Sequence, residues 1–386
     1  MDARHHTLPC TSLGSTRTLT SLHYGVAAAR PKVYIQASLH ADELPGMLVA
    51  HHLRERLTKA ERSGQVLGQV VLVPVANPIG LAQRIDHRPM GRFELNTSEN
   101  FNRSYPDLAQ VALERVGREL GSDLDKNVAM VRAAVLDWLS EQTPLTELEG
   151  LRLTLYRLAA DADVVLDLHC DAEAVLHLYS ETACWPALEP LACWLGAQTV
   201  LVADYGAGGQ PFDEQLSGLW SQLAARLAAH GIEVPLPQAC ASATVELRGE
   251  ADVGHAWAER DADAIWRYLQ HLGIIAGDPG PVPEPRFVPT PLAGSEPLKA
   301  PCPGVIAFHA DVGAVLPPDA LVAEIIDPLS GHTVPLRTAQ GGVLYARTRE
   351  RYAPAGLTVA KVAGHRPVRT GNLRSEERRV GKECRL

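Results

Sequence analysis

The stretch KVYIQASLHADELPGMLVAHHLRERL, residues 32–57, decides the fold. Its first part, KVYIQASL, is apolar and β-branched enough for a strand buried on both faces, as strands of parallel sheets are. From Pro45 onward apolar residues recur at three- and four-residue spacing, and proline suits the first turn of a helix. A buried strand running through a short polar turn into a helix is one repeat of an α/β sheet. The turn itself carries His40 and Glu43, three residues apart.

The same alternation continues outward to about residue 275. QVVLVPVA (69–76), DVVLDLHC (163–170), AVLHLYS (174–180), TVLVADY (199–205) and SATVELRG (242–249) read as strands. Helical periodicity covers 45–57, 127–142, 148–162, 212–230 and 254–272. The expectation is an α/β domain over 1–276, its mixed and mainly parallel sheet sandwiched by helices. Residues 277–292 hold all six prolines of GDPGPVPEPRFVPTPLAG and read as a stiff linker. Short strand-like runs separated by turn signals then predict a small all-β domain over 293–365. Residues 366–386 carry charge without an apolar face and read as a disordered tail, and YGAGGQPF (205–212) reads as a flexible loop without phosphate-loop spacing.

Composition narrows the function. With 46% hydrophobic and 21% charged residues the chain can bury a sizeable core, and a net charge of -9 disfavours nucleic acid or an anionic membrane as the main partner. No signal-peptide pattern or long apolar run is evident, so the expected location is cytoplasmic. Seven scattered cysteines without a CxxC pair suit reduced thiols rather than a disulfide framework.

His-x-x-Glu occurs three times, at His40/Glu43, His52/Glu55 and His230/Glu233. Position separates them, because open α/β sheets bind ligands at the carboxyl ends of their strands. His52 and Glu55 lie inside a helical pattern, and His230 and Glu233 straddle a helix end. Only His40 and Glu43 follow a buried strand directly. At a second strand end DVVLDLHCDAE delivers Asp167, His169 and Asp171 where a core strand would avoid polar residues. Two imidazoles and one carboxylate make a three-ligand zinc set with an open position; a core histidine and a loop histidine are the bland alternative. SATVELRGE supplies Glu246 and Arg248, two apart and so expected on one strand face, as a general base or as an internal ion pair. Residues 76–107 form a long connection whose Arg84, Arg88, Arg92 and Arg103 supply the local positive charge that a carboxylate ligand needs.

HxxE after the first buried strand, Asn-Pro after the next, an arginine followed by Phe-Asn-Arg, Asp-x-His and Thr-Val-Glu, in that order, resemble the succinylglutamate desuccinylase/aspartoacylase family, of zinc-carboxypeptidase-like fold. The resemblance covers roughly residues 30–275, and the β domain is similar to the one family members carry at their C-terminus. It implies one Zn2+ per chain on His40, Glu43 and His169, with Glu246 as general base and proton donor and Arg92 at the oxyanion. It further implies that Asn102 and Arg103 grip a substrate carboxylate, with Arg248 as a second contact. Arg92 and Asn102 stand ten residues apart, further than in the aspartoacylase branch, which keeps Arg84 and Arg88 as alternatives for the oxyanion role. The implied activity is zinc-dependent hydrolysis of the amide bond of a small N-acylated amino acid. A metallocarboxypeptidase acting on short peptides and a noncatalytic carboxylate-binding protein are the alternatives. PCPGVIAFHADVGAVLPPDALVAEIIDP resembles biotinyl and lipoyl domains but lacks a lysine at the hairpin tip, so the β domain reads as a shape-determining lid or an oligomer contact.

Overall fold

The computed structural model describes residues 1–204, 206, 211–370 and 373. Most of the expected tail and loop, namely 371–372, 374–386, 205 and 207–210, lies outside the described residues. Among the described residues no helix is long and apolar enough to cross a membrane.

The strand of the opening stretch spans Lys32–Ala37, and its six residues are all buried. It lies in parallel between Gln69–Val73 and Val164–Asp171, and the latter pairs in parallel with Ala241–Gly249. Among the described residues nine strands form this sheet. On one flank antiparallel Thr18–Gly25 and Asp2–Thr7 extend it; on the other lie His177–Glu181, Thr199–Ala203 and Thr290–Pro291. The sheet is therefore mixed and mainly parallel, as the alternation predicts. Thr290–Pro291 sits within the stretch expected to be structureless linker, yet pairs with Leu201 and Val202. It occupies an edge, where a proline's missing N–H breaks no ladder.

Residue alternation along the central strands divides the core. Ile35, Leu166, Leu168, Val245 and Leu247 pack with Val49, Leu53, Leu188, Ala262 and Ile265 from helices Pro45–Arg62, Trp185–Leu195 and His255–His271. Tyr34 and Val165 face the opposite way, onto helices Leu108–Val116, Leu124–Glu141, Glu147–Ala159 and Phe212–Ala229. Burying both faces in this way is what makes the central strands continuously apolar. Helix Trp185–Leu195 escapes the sequence reading because Pro190 sits inside it.

Beyond Thr290 the described residues form two antiparallel sheets. One orders Ser295–Lys299, Thr358–Ala363, Gly342–Arg347 and Val315–Leu316; the other orders Thr333–Arg337, Leu321–Ile326, Gly304–Phe308 and Tyr352–Ala353. The first docks on the α/β sheet immediately downstream of His169. Ala346 and Arg347 pair with Ala174 and Glu173 as antiparallel strands, and Leu292, Tyr345 and Leu373 pack against Ala174, Val175 and Leu201. Ion pairs from Arg347 and Arg351 to Glu173, each 2.6 Å, and from Lys361 to Asp171, 2.7 Å, close the seam.

Candidate active site

Three adjacent parallel strands end at one place. After Ala37 the backbone turns through Ser38 in the left-handed region, at φ 60°, and the Ser38 hydroxyl donates to the Glu43 carbonyl across the turn (2.9 Å). Pro45 then starts the helix. At Gly46 an added Cβ would lie 3.1 Å from the Cβ atoms of Ala37 and Leu168, so glycine lets the helix start lie close against the sheet. The His-x-x-Glu turn is thus held by packing as well as by hydrogen bonds.

Glu43 is the hub. Its Oε1 lies 3.0 Å from His40 Nδ1 and its Oε2 lies 2.7 Å from His169 Nδ1, while the Cys170 N–H donates to Oε2 at 3.1 Å. The imidazoles meet edge-on with centroids 5.0 Å apart. Their other nitrogens are held from behind: Asn100 Oδ1 is 3.0 Å from His40 Nε2, and Asp167 Oδ2 is 3.0 Å from His169 Nε2. Asp167 is itself fixed by Gln36, whose amide donates to Oδ1 at 2.9 Å. Asp167 and His169 share a face because residues two apart on a strand do. The arrangement sets the charges. Burial and Arg92 hold His40 below its ordinary pKa. Burial would lower His169 too, but Asp167 and Glu43 hold it well above. Burial pushes Glu43 up, yet the two imidazoles outweigh it and hold the carboxyl well below its usual range.

Glu246 enters from the third strand, directly opposite His169 in the register. Burial first, and then the neighbouring Glu43, push its carboxyl up to about 8. Its Oε2 is buried and has no hydrogen-bond partner among the described residues, as expected of a group waiting for a water or a ligand. The chemistry of the donor set fits a divalent metal: His40, Glu43 and His169 are all buried, each offers a ligand atom, and these atoms lie within 4.8 Å of one another.

The connection 76–107 wraps over this group. Asn77 Nδ2 donates to the Leu39 carbonyl (2.8 Å), and the Ala41 N–H donates to the Gly91 carbonyl (3.0 Å). At Gly91 an added Cβ would come within 2.1 Å of Asp42 N, so only glycine allows this approach. It places Arg92, whose Nη2 donates to Glu43 Oε1 at 2.8 Å. Arg84 and Arg88 lie instead in an exposed hairpin of two two-residue strands and do not line the cavity. Asn102 Oδ1 accepts from the Phe212 N–H (2.7 Å), while its amide nitrogen faces His169 Nε2 at 3.4 Å. Asn102 therefore braces the site as well as lining it. Arg103 also lines the cavity, its guanidinium donating to the Asn102 carbonyl at 2.6 Å.

Arg248 behaves differently from the expectation that it shares a face with Glu246. The strand register shifts between Glu246 and Gly249 and Arg248 adopts φ 67°, which breaks the two-residue alternation. Its guanidinium pairs with Asp261 of helix His255–His271 and lies 4.5 Å from the Trp257 ring centroid. It does not line the cavity and is not paired with Glu246.

The cavity measures about 700 Å³. His40, Glu43, His169 and Glu246 line it together with Arg92, Asn102 and Arg103; the β sheets contribute Tyr345 and Lys361, and the segment after the last strand contributes Arg369. Sequence reasoning missed these last three, along with the supporting roles of Asn100 and Asp167. Asp167 was visible as a polar residue two before His169 in a buried strand. Nothing local marks Lys361, which reaches the site only because the two parts of the chain pack together.

Residues 29–131 match the family model of the Succinylglutamate desuccinylase/Aspartoacylase catalytic domain. No match was found among curated proteins. Among solved structures, a protein from Shewanella amazonensis assigned to that family is 26% identical, with a TM-score of 0.80, covering 94% of this chain and 98% of its own. One from Shewanella frigidimarina, assigned likewise, is 25% identical with a TM-score of 0.79, covering 94% and 97%. The product-bound ectoine utilization protein EutE (DoeB) from Ruegeria pomeroyi shares the fold at 16% identity, with a TM-score of 0.64 over 94% and 95%. The chain is thus similar in sequence over 29–131 to the catalytic domain of the succinylglutamate desuccinylase/aspartoacylase family, and it shares its fold over nearly its whole length with solved structures assigned to that family.

Proposed function

We propose that this protein is a zinc-dependent hydrolase that cleaves the amide bond of a small N-acylated amino acid. The observation that carries the reading is the buried His40–Glu43–His169 group with Glu246 beside it in one cavity, its Oε2 without a hydrogen-bond partner among the described residues. Family members are deacylases and hydrolases, which agrees. A bound Zn2+ would be held by His40, Glu43 and His169 and would supply Lewis-acid activation of the carbonyl and of water.

The chain's own residues perform the rest. Glu246 in its ionised form takes a proton from the attacking water at Oε2 as the new C–O bond forms, its affinity for that proton raised by burial, and returns it to the amine nitrogen as the C–N bond breaks. The products are a carboxylate and a free amine. Arg92 sets a fixed positive charge against the ligand group, where negative charge develops on the former carbonyl oxygen. Arg103 meets a substrate carboxylate with a two-point fork, and Asn102 keeps His169 and the Phe212 helix start in place. The C-terminal part of the chain roofs the cavity through Leu292, Tyr345 and Leu373, which favours a compact substrate over an extended peptide.

The test is a panel of N-acetyl, N-formyl and N-succinyl amino acids, beside short peptides, assayed with zinc content measured in parallel. Turnover of one acyl class in proportion to bound zinc is the expected result. Release of C-terminal residues from peptides alone would replace this reading with a carboxypeptidase. Binding of carboxylates without turnover in zinc-loaded protein would leave a binding protein.

A further inference from the structure

A second cluster of metal-type ligands lies on the far side of the sheet. His52 sits on helix Pro45–Arg62, and His255 and Glu259 sit one turn apart on helix His255–His271. Residues four apart share a helix face. The ligand atoms of these three side chains lie within 4.8 Å of one another, and His52 Nε2 is 3.1 Å from His255 Nδ1. Two nitrogens each about 2.0–2.1 Å from a tetrahedral zinc stand about 3.3–3.4 Å apart, so the observed spacing is within a few tenths of an ångström of a ligand edge.

The platform is rigid. Val49 and Leu53 of one helix and Ala258, Ala262 and Ile265 of the other are buried in the same core, and Arg56 pairs with Asp263 across the helices at 2.9 Å. His52 is half-buried, while His255 and Glu259 are exposed, which leaves the outward side open to water. Glu259 and Glu55 place negative charge around the imidazole of His52, which offsets the positive end of the helix that His255 begins. The hydrogen bond between the two histidines accounts for their spacing but gives Glu259 no part in the cluster.

We infer that His52, His255 and Glu259 form a second divalent-metal site, one that takes Zn2+ and clasps the two helices together. Helix Pro45–Arg62 runs directly on from Glu43, so the clasp anchors the element that carries the His-x-x-Glu turn. The test dialyses the full chain against micromolar Zn2+ and measures bound metal and thermal unfolding for wild type, His52→Ala, His255→Ala and Glu259→Ala. His255 and Glu259 are exposed, so at least two of these variants preserve the packing. Each variant is expected to hold about one ion fewer per chain, with the affinity of that ion lowered at least about tenfold, and to lose the zinc-dependent rise in Tm. Because the readout is a difference between variant and wild type, it holds whether or not the interior group binds metal. Unchanged metal content in the variants, or an effect of one histidine alone, overturns the inference.

Discussion

The two faces of the sheet at its carboxyl end use the same residue types to opposite ends. On the cavity face His169 and Glu246 point at a hollow, with partners for His169 and none, among the described residues, for Glu246 Oε2. On the helix face, two residues after Glu246, Arg248 is clamped to Asp261 and covered by Trp257. A buried charge with its counterion in place is structural, because breaking it strands the partner in low dielectric. A buried carboxylate without one has its proton affinity raised and is available for proton transfer. The difference is not one of residue chemistry but of which groups the backbone brings opposite each side chain.

That contrast breaks most decisively at Glu246. Glu246→Gln is expected to lower kcat by about 10²- to 10⁴-fold, the usual worth of a general base, with zinc content and Tm at neutral pH kept. Wild-type turnover in that variant would remove Glu246 from the mechanism. Arg248→Met should do the reverse, leaving kcat/KM near wild type while unfolding in denaturant shows a loss of about 3–5 kcal/mol. The pair is suited to that effect, since the side chains of Arg248 and Asp261 are only 11% and 1% exposed. A large loss of catalysis in a stably folded Arg248→Met would restore it as a substrate contact.

Asp167→Asn sharpens the comparison within the cavity face. Asp167 touches His169 rather than the cavity, so zinc affinity is expected to fall about 10- to 100-fold, as when a ligand's supporting partner is changed. Saturating zinc should recover most of the turnover.

A further effect is one of pH. In protein stripped of metal by a chelator, Glu246 holds its proton in the fold up to about pH 8, whereas its ordinary value is 4.5. A raised folded value contributes stability that is whole below about 4.5 and is lost as pH rises toward about 8. The Tm of Glu246→Gln relative to wild type should therefore rise across that window and level off above it. A pH-independent difference would mean that Glu246 ionises normally.

How much of this was legible in the sequence follows from the range of the interactions. His40, Glu43 and His169 could be singled out because each follows or ends an apolar strand, and a polar residue there stands out locally. Strand Asp2–Thr7 was not read, since its residues are almost all exposed and carry no apolar alternation. Arg248 was placed on the wrong face because strict alternation cannot announce a register shift. His52 was assigned to a helix face, correctly, but its neighbour His255 lies 203 residues away.

The order of buried strands and amphipathic helices, the strand-end histidines and the arginine-rich connection are properties of short windows, and the sequence by itself determined them. Which nitrogen meets which oxygen, the raised affinity of Glu246 for its proton, the diversion of Arg248 to Asp261 and the arrival of Lys361 beside Asp171 were decided by the tertiary structure. The physical reason is that charge and burial act through space over a few ångströms, between residues that the chain separates by tens or hundreds of positions.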